Sequence, residues 1–292
     1  MKWGILFNLI ICSAYASIDI KTPRGDLESN EIIAASKVID KILAFSPLSQ
    51  KSSNLIIDIV AADTEAYYAP SNYIFLPLRM RSYVDYYELQ DQKLTEAVWV
   101  HEMAHAILNV NLASDIDKFS TIFDFYKKRD WYINELDQLD RNSDDYKKLY
   151  PSFIENNHRL AQESVKLDLV ISYDELFADI YTVLYYNDFQ IMEKALTYQA
   201  MSANERQAAE HRDFTENFTT AKRDDHTYLS PSKYHFWKRV KDCPLYTYNS
   251  LVSQTYTIIK KIIGNTLNGK VMDQQEANQL LIEKFNQLDC GQ

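Results

Sequence analysis

Chemistry in this chain starts from His101-Glu102-Met103-Ala104-His105, where two of the six histidines in 292 residues stand four apart. On a helix that spacing puts both imidazoles on one face, converging on one point with Glu102 beside them. Zinc needs such a set: two neutral nitrogen donors at about 2.0–2.1 Å, a third protein ligand, and one position open to water. Glu102 is then placed as a base, taking a proton from a water that the metal has acidified as it attacks a polarised carbonyl. The flanking Val98, Val100, Ala104, Ile107 and Leu108 make the helix strongly apolar. Two imidazoles and a carboxylate on such a helix need partners, and a metal is one.

The third ligand must come from elsewhere. Leu108 and Asn111 stand where a metzincin would continue with glycine and a third histidine, which excludes that class. Downstream, Tyr173-Asp174-Glu175-Leu176-Phe177-Ala178-Asp179 opens another helical stretch, with Leu176, Ile180, Val183 and Leu184 as its apolar stripe. Glu175 and Asp179 share one face. The first carboxylate can ligate, and the second, one turn later, can accept the remaining ring N–H of a metal-bound histidine.

His-Glu-x-x-His followed by Glu-x-x-x-Asp on a later helix resembles the gluzincin, thermolysin-like class of zinc metallopeptidases, over about residues 54 to 110 and 172 to 187. The resemblance implies His101, His105 and Glu175 as zinc ligands, Glu102 as general base, and Asp179 as the partner of His101. Asp174, Asp179 and Glu163 are the alternatives for the third ligand. It also implies a His or Tyr downstream of the glutamate that donates to the carbonyl oxygen as negative charge builds there. In the run Asp224 to Trp237, His226 is the first candidate, with Tyr228, Tyr234 and His235 behind it.

The elements that must position these groups read as α+β, predominantly helical, a zincin-like core with a small sheet packed beside the active-site helix. Leu27 to Phe45 has helical apolar spacing and ends at Ser46-Pro47. Leu55 to Val60 and Tyr73 to Leu76 read as strands, with Pro70-Ser71-Asn72 as the turn before the second and Pro77 as its end. In the proteins this chain resembles, an edge strand just before the active-site helix pairs with substrate backbone, and Tyr73 to Leu76 is expected in that place. An ordinary inner strand is the alternative.

Residues 112–170 have the character of a helical insertion. One helix carries Ile122, Phe123, Phe125, Tyr126, Trp131, Ile133 and Leu136; Arg141 to Asp145 makes a turn; a second helix runs from about Tyr150, with Pro151 in its first turn, to Leu169. The resulting hairpin either covers the cleft or adds core. His158 on it reads as a surface residue. Beyond Asp179 the chain is expected to stay helical to roughly Arg212. The C-terminal part, residues 213–292, carries two further helices, Tyr246 to Ile263, ended by Gly264, and Asp273 to Leu288, capped by Asp273 and Glu276.

Residues 1–16 read as a signal peptide: Lys2, an apolar run from Trp3 to Ile11, and Ala14-Tyr15-Ala16 as the cleavage site, leaving Ser17 first. A lipoprotein acylated at Cys12 is the other reading of this segment. The mature domain, residues 17–292, is then expected to be secreted or periplasmic, with no membrane insertion. Its composition, 46% hydrophobic and 25% charged, is that of a globular protein, and loss of Lys2 takes the formal charge from −10 to −11. Such a surface disfavours nucleic acid and anionic membrane. Cys243 and Cys290 could close a loop of about 46 residues in an oxidising compartment. The expected function is an exported zinc metallopeptidase acting on a peptide or protein substrate, with a non-catalytic binding protein on the same scaffold as the alternative.

Overall fold

The computed structural model describes residues 9–10, 18–48, 55–63, 65–70, 72–80, 91–199, 209, 212–216, 225–271 and 273–291. The expected leader and Cys12 lie outside the described residues, apart from Leu9–Ile10. The chain is mostly helical, with one small sheet. The strands are β1 (Leu9–Ile10), β2 (Asp19–Lys21), β3 (Ile56–Asp63), β4 (Tyr67–Ala69) and β5 (Tyr73–Met80). The helices are α1 (Ser29–Ala44), α2 (Gln92–Asp115), α3 (Asp117–Asp137), α4 (Asp144–Tyr186), α5 (Ile191–Gln199), α6 (Ser230–Val240), α7 (Tyr248–Leu267) and α8 (Gln274–Phe285).

The sheet runs β1-β2-β3-β5-β4, with β2, β3 and β5 parallel and β4 returning antiparallel to β5. Ile57, Ile59, Val60, Ile74 and Leu76 are wholly buried, as parallel strands covered by helices require. This order corrects the edge-strand expectation. Tyr73 to Leu76 pairs with β3 along its length and through Phe75 with β4, so it lies inside the sheet. Among the described residues the edge is β4, a three-residue strand. Asn72, at φ 63°, makes the turn between the two. Pro77 does not end β5, which continues to Met80 opposite β3. β4 pairs only as far as Phe75, leaving one side of the strand open at Pro77, where the missing N–H costs no ladder bond.

α2 lies at the centre, against β5, α3, α4 and α5. Asp91 caps its start by accepting the Lys93 N–H at 2.9 Å. It is buried on almost every side, from Leu94 to Leu112, as a helix that is apolar all round must be. Its Trp99 indole donates to the Pro77 carbonyl at 2.9 Å and holds the helix to the sheet.

The expected hairpin is present as α3 and α4, joined by a turn at residues 138–143. Its second arm does not stop at Leu169, and Tyr173 opens no new helix. α4 runs unbroken for 43 residues, about 65 Å, from the Ser143 cap through Glu175 and Asp179. Nothing between Leu169 and Tyr173 interrupts it, since no glycine or proline falls there. Pro151 sits beyond the first turn, inside the helix. The break comes later than Asp179 but well before Arg212: Asn187, at φ 51°, ends α4, and α5 begins at Ile191.

At the C-terminus, Gly264 does not end α7, which continues to Leu267 because Ile262, Ile263, Thr266 and Leu267 remain buried. Asp273 caps α8 through the Glu276 N–H at 2.9 Å. Cys243 and Cys290 are joined, with Cα atoms 5.3 Å apart. Among the described residues, no helix is long and apolar enough to cross a membrane.

Candidate metal centre

α2 presents His101 and His105 from adjacent turns, both buried, with Nε2 atoms 3.0 Å apart. α4 crosses them and brings Glu175, whose Oε2 is 3.3 Å from His101 Nε2 and whose Oε1 is 3.7 Å from His105 Nε2. Each residue offers one donor atom, all within 4.8 Å of one another. A tetrahedral centre with bonds of about 2.0–2.1 Å separates its ligand atoms by about 3.3–3.4 Å. The separations of 3.0 Å between the two imidazoles and 3.3 Å from His101 to Glu175 Oε2 lie near that value, and the other carboxylate oxygen of Glu175 faces His105.

The opposite nitrogen of each ring faces a carboxylate. His101 Nδ1 is 3.2 Å from Asp179 Oδ1, and His105 Nδ1 is 2.9 Å from Asp174 Oδ1. A carboxylate on that side favours a ring proton on Nδ1 and leaves the Nε2 atoms facing each other. Two facing nitrogens at this distance need a proton or a cation between them. Burial works against charge on His105, but Asp174 and Glu175 outweigh it and hold its pKa up at about 10. Burial alone would push Glu175 up, yet the His105 charge and hydrogen bonds from His101 and His226 take it well below the usual carboxylate range. His101, His105 and Glu175 could therefore hold a metal ion, and two imidazoles with one carboxylate are donor types that zinc accepts.

Glu102 is half-buried beside the pair and lines the same cleft. Burial raises its proton affinity against the charges of His101 and His105, and the Tyr68 backbone N–H bonds to it. Tyr68, on the edge strand, stacks its ring on His105 with centroids 6.2 Å apart. The cleft holds about 700 Å³. It is lined by residues 65–68 and Pro70 and by an apolar set, Phe119, Ile122 and Phe123 from α3 with Leu167, Val170 and Ile171 from α4. The hairpin therefore lines the cleft as well as adding core.

The structure brings together every residue of the expected set. His226, from the turn before α6, reaches Glu175 Oε2 with Nδ1 at 2.7 Å and lines the cleft. Tyr228, Tyr234 and His235 are not part of the cleft wall. Asp174 and Asp179 face the Nδ1 atoms, away from the convergent donors. Glu163 stands twelve residues before Glu175 on the same helix, about 18 Å along its axis.

Several residues at the site carried no local signal. Asp179, wholly buried, receives Arg212 Nη2 at 2.8 Å and Lys233 Nζ at 2.5 Å. Burial pushes this carboxyl up, but Arg212 and Lys233 bring it far below its ordinary value. Arg212 Nη2 also lies 3.2 Å from His101 Nε2 and 3.4 Å from Glu175 Oε2. Asn109, one turn after His105, donates to Asp174 Oδ2 at 3.0 Å. The two cations come from 33 and 54 residues beyond Asp179, so no spacing rule could have found them. Asn109 could have been found, at i+4 from His105, and Asp174, weighed above as a ligand, stands instead behind His105. Comparison with protein-family models, curated proteins and solved structures gives no match to this chain.

Proposed function

We propose that this chain is an exported zinc-dependent peptidase of the gluzincin type. The observation that carries the reading is the convergence of His101, His105 and Glu175 at separations of 3.0, 3.3 and 3.7 Å, with a carboxylate behind each histidine. When bound there, zinc supplies a Lewis acid that polarises a carbonyl and makes a water acidic. Glu102, with its proton affinity raised by burial, takes a proton from the attacking water and passes it to the leaving amine. His226, held beside the ligand carboxylate, donates to the carbonyl oxygen as negative charge builds on it.

Substrate backbone pairs along β4, the sheet edge on the cleft wall. The apolar lining from α3 and α4 takes a bulky apolar side chain, whose burial there is favourable. Export is supported by the signal-peptide pattern of residues 1–16 in the sequence and by the Cys243–Cys290 bridge, which persists in oxidising compartments.

The test is elemental analysis and peptide-library cleavage on residues 17–292, purified without chelator, beside Glu102→Gln. About one zinc per chain in both proteins is expected, with hydrolysis lowered by about 100-fold or more in the variant. A folded wild-type chain that takes up no zinc would overturn the reading.

A further inference from the structure

Lys233 is 1% exposed, on the first turn of α6, and its ammonium has two acceptors. Nζ lies 2.5 Å from Asp179 Oδ2 and 2.9 Å from the main-chain carbonyl of His226. The ring of Phe214 closes the site, with its centroid 5.9 Å from the ammonium. Burial of an ammonium is costly unless its bonds are well made. Neutralising Asp179 does not require it, because Arg212 already meets the other carboxylate oxygen at 2.8 Å. What Lys233 adds is the bond to the carbonyl.

That bond joins two halves of the candidate site. Asp179 is the carboxylate behind His101 on α4, and the turn at residues 225–229 carries the His226 ring to Glu175. α6 itself is anchored from outside the site, where Ser232 donates through both its N–H and its hydroxyl to Asn278 of α8. Lys233 therefore projects from a fixed helix, reaches back seven residues, and fastens the turn to the helix that holds the ligand glutamate.

We propose that Lys233 is a positioning residue: by tying the His226 carbonyl to Asp179 it holds the His226 ring against Glu175 and over the cleft. The assignment of His226 as a donor rests on the peptidase reading; the placement of its ring does not, and the test separates the two.

The first readout is the rate of carbethoxylation of His226 in the metal-free full chain, followed by mass spectrometry, with exposed His158 as internal standard. In Lys233→Met the rate at His226 should rise about three-fold or more while His158 is unchanged, as expected when a local restraint is lost. The second is a double-mutant cycle on peptide hydrolysis. Lys233→Met should lower kcat about ten-fold with little change in KM in the wild-type background, and less than about two-fold in His226→Ala, since residues acting as a unit are not additive. If Lys233→Met does not fold, Lys233→Arg carries the same test. Its planar fork retains charge for Asp179 but fits a carboxylate better than a lone carbonyl, so His226 should again be modified faster. An unchanged modification rate at His226 in a folded variant, or losses that add in the cycle, would overturn the proposal. A wild-type chain without peptidase activity would remove the second readout and leave the first decisive.

Discussion

The carboxylate of Asp174 lies 2.9 Å from Nδ1 of His105, and the next residue along, Glu175, faces the same ring from its other nitrogen. One turn of α4 thus addresses both sides of a single imidazole, one side orienting it and the other sharing its lone-pair direction. Removing a carboxylate in the Asp174 position typically weakens metal binding by about 10–100-fold. Asp174→Ala should show a loss of that size in chelator competition for zinc, and Asp174→Asn, whose amide oxygen still accepts, a smaller one. Equal zinc affinity in all three proteins would show that Asp174 plays no part in holding the ring.

The pH dependence of the metal-free chain follows from His105. Its folded-state pKa is about 10 against an ordinary 6.5, so it is raised. The stabilisation from this proton is full below about pH 6.5 and is lost as pH rises through about 10. In excess chelator, urea midpoints should fall over that window, and fall less in Asp174→Ala. Zinc must displace the proton, so uptake should release protons and apparent affinity should rise with pH over the same range. Calorimetry in buffers of different ionisation enthalpy counts the protons, and a count of zero near pH 7.5 would contradict the assignment.

Ile171 is 38% exposed on the apolar wall of the cleft, so its replacement is not a core substitution. A carboxylate there opposes burial of an apolar side chain and leaves the metal ligands in place. Ile171→Asp should lower kcat/KM by about ten-fold or more for peptides bearing a bulky apolar residue, within the cost of a desolvated polar group. Peptides bearing lysine or arginine should be spared. A uniform loss over the whole library would place the effect elsewhere than in side-chain selection.

Cys243 and Cys290 close a loop spanning 47 positions around α7 and α8. In the chain-entropy model, opening it costs on the order of 3–4 kcal/mol. A Cys243→Ser/Cys290→Ser chain should show a urea midpoint lowered accordingly, with zinc stoichiometry unchanged, because the bridge lies away from the cleft wall.

Much of the helical framework was legible in the chain because its signals are local. Leu27 to Phe45 fell within a few residues of α1, and the hairpin insertion and the Asp273 cap were placed by apolar spacing and capping chemistry. Errors came where a local stop signal met tertiary packing. Gly264 lowers helix propensity by about 1 kcal/mol, which burial of its neighbours Ile263 and Leu267 readily offsets. Pro77 reads as a strand end, but it lies on a stretch of β5 with one unpaired side, which tolerates it. β4 was missed because three residues are too few to show alternation.

What the sequence determined by itself is the part of the site written in helical periodicity: His101 and His105 one turn apart with Glu102 between them, and Glu175 with Asp179 one turn apart. The 3.6-residue repeat sets those faces wherever the helices lie. Only the tertiary structure decided that α4 crosses α2 at this point, that Asp174 and Asp179 stand behind the rings, and that Arg212, His226 and Lys233 arrive from distant segments. These are contacts between groups 33 to 111 positions apart, set by how buried surfaces pack, and no repeat along the chain encodes them.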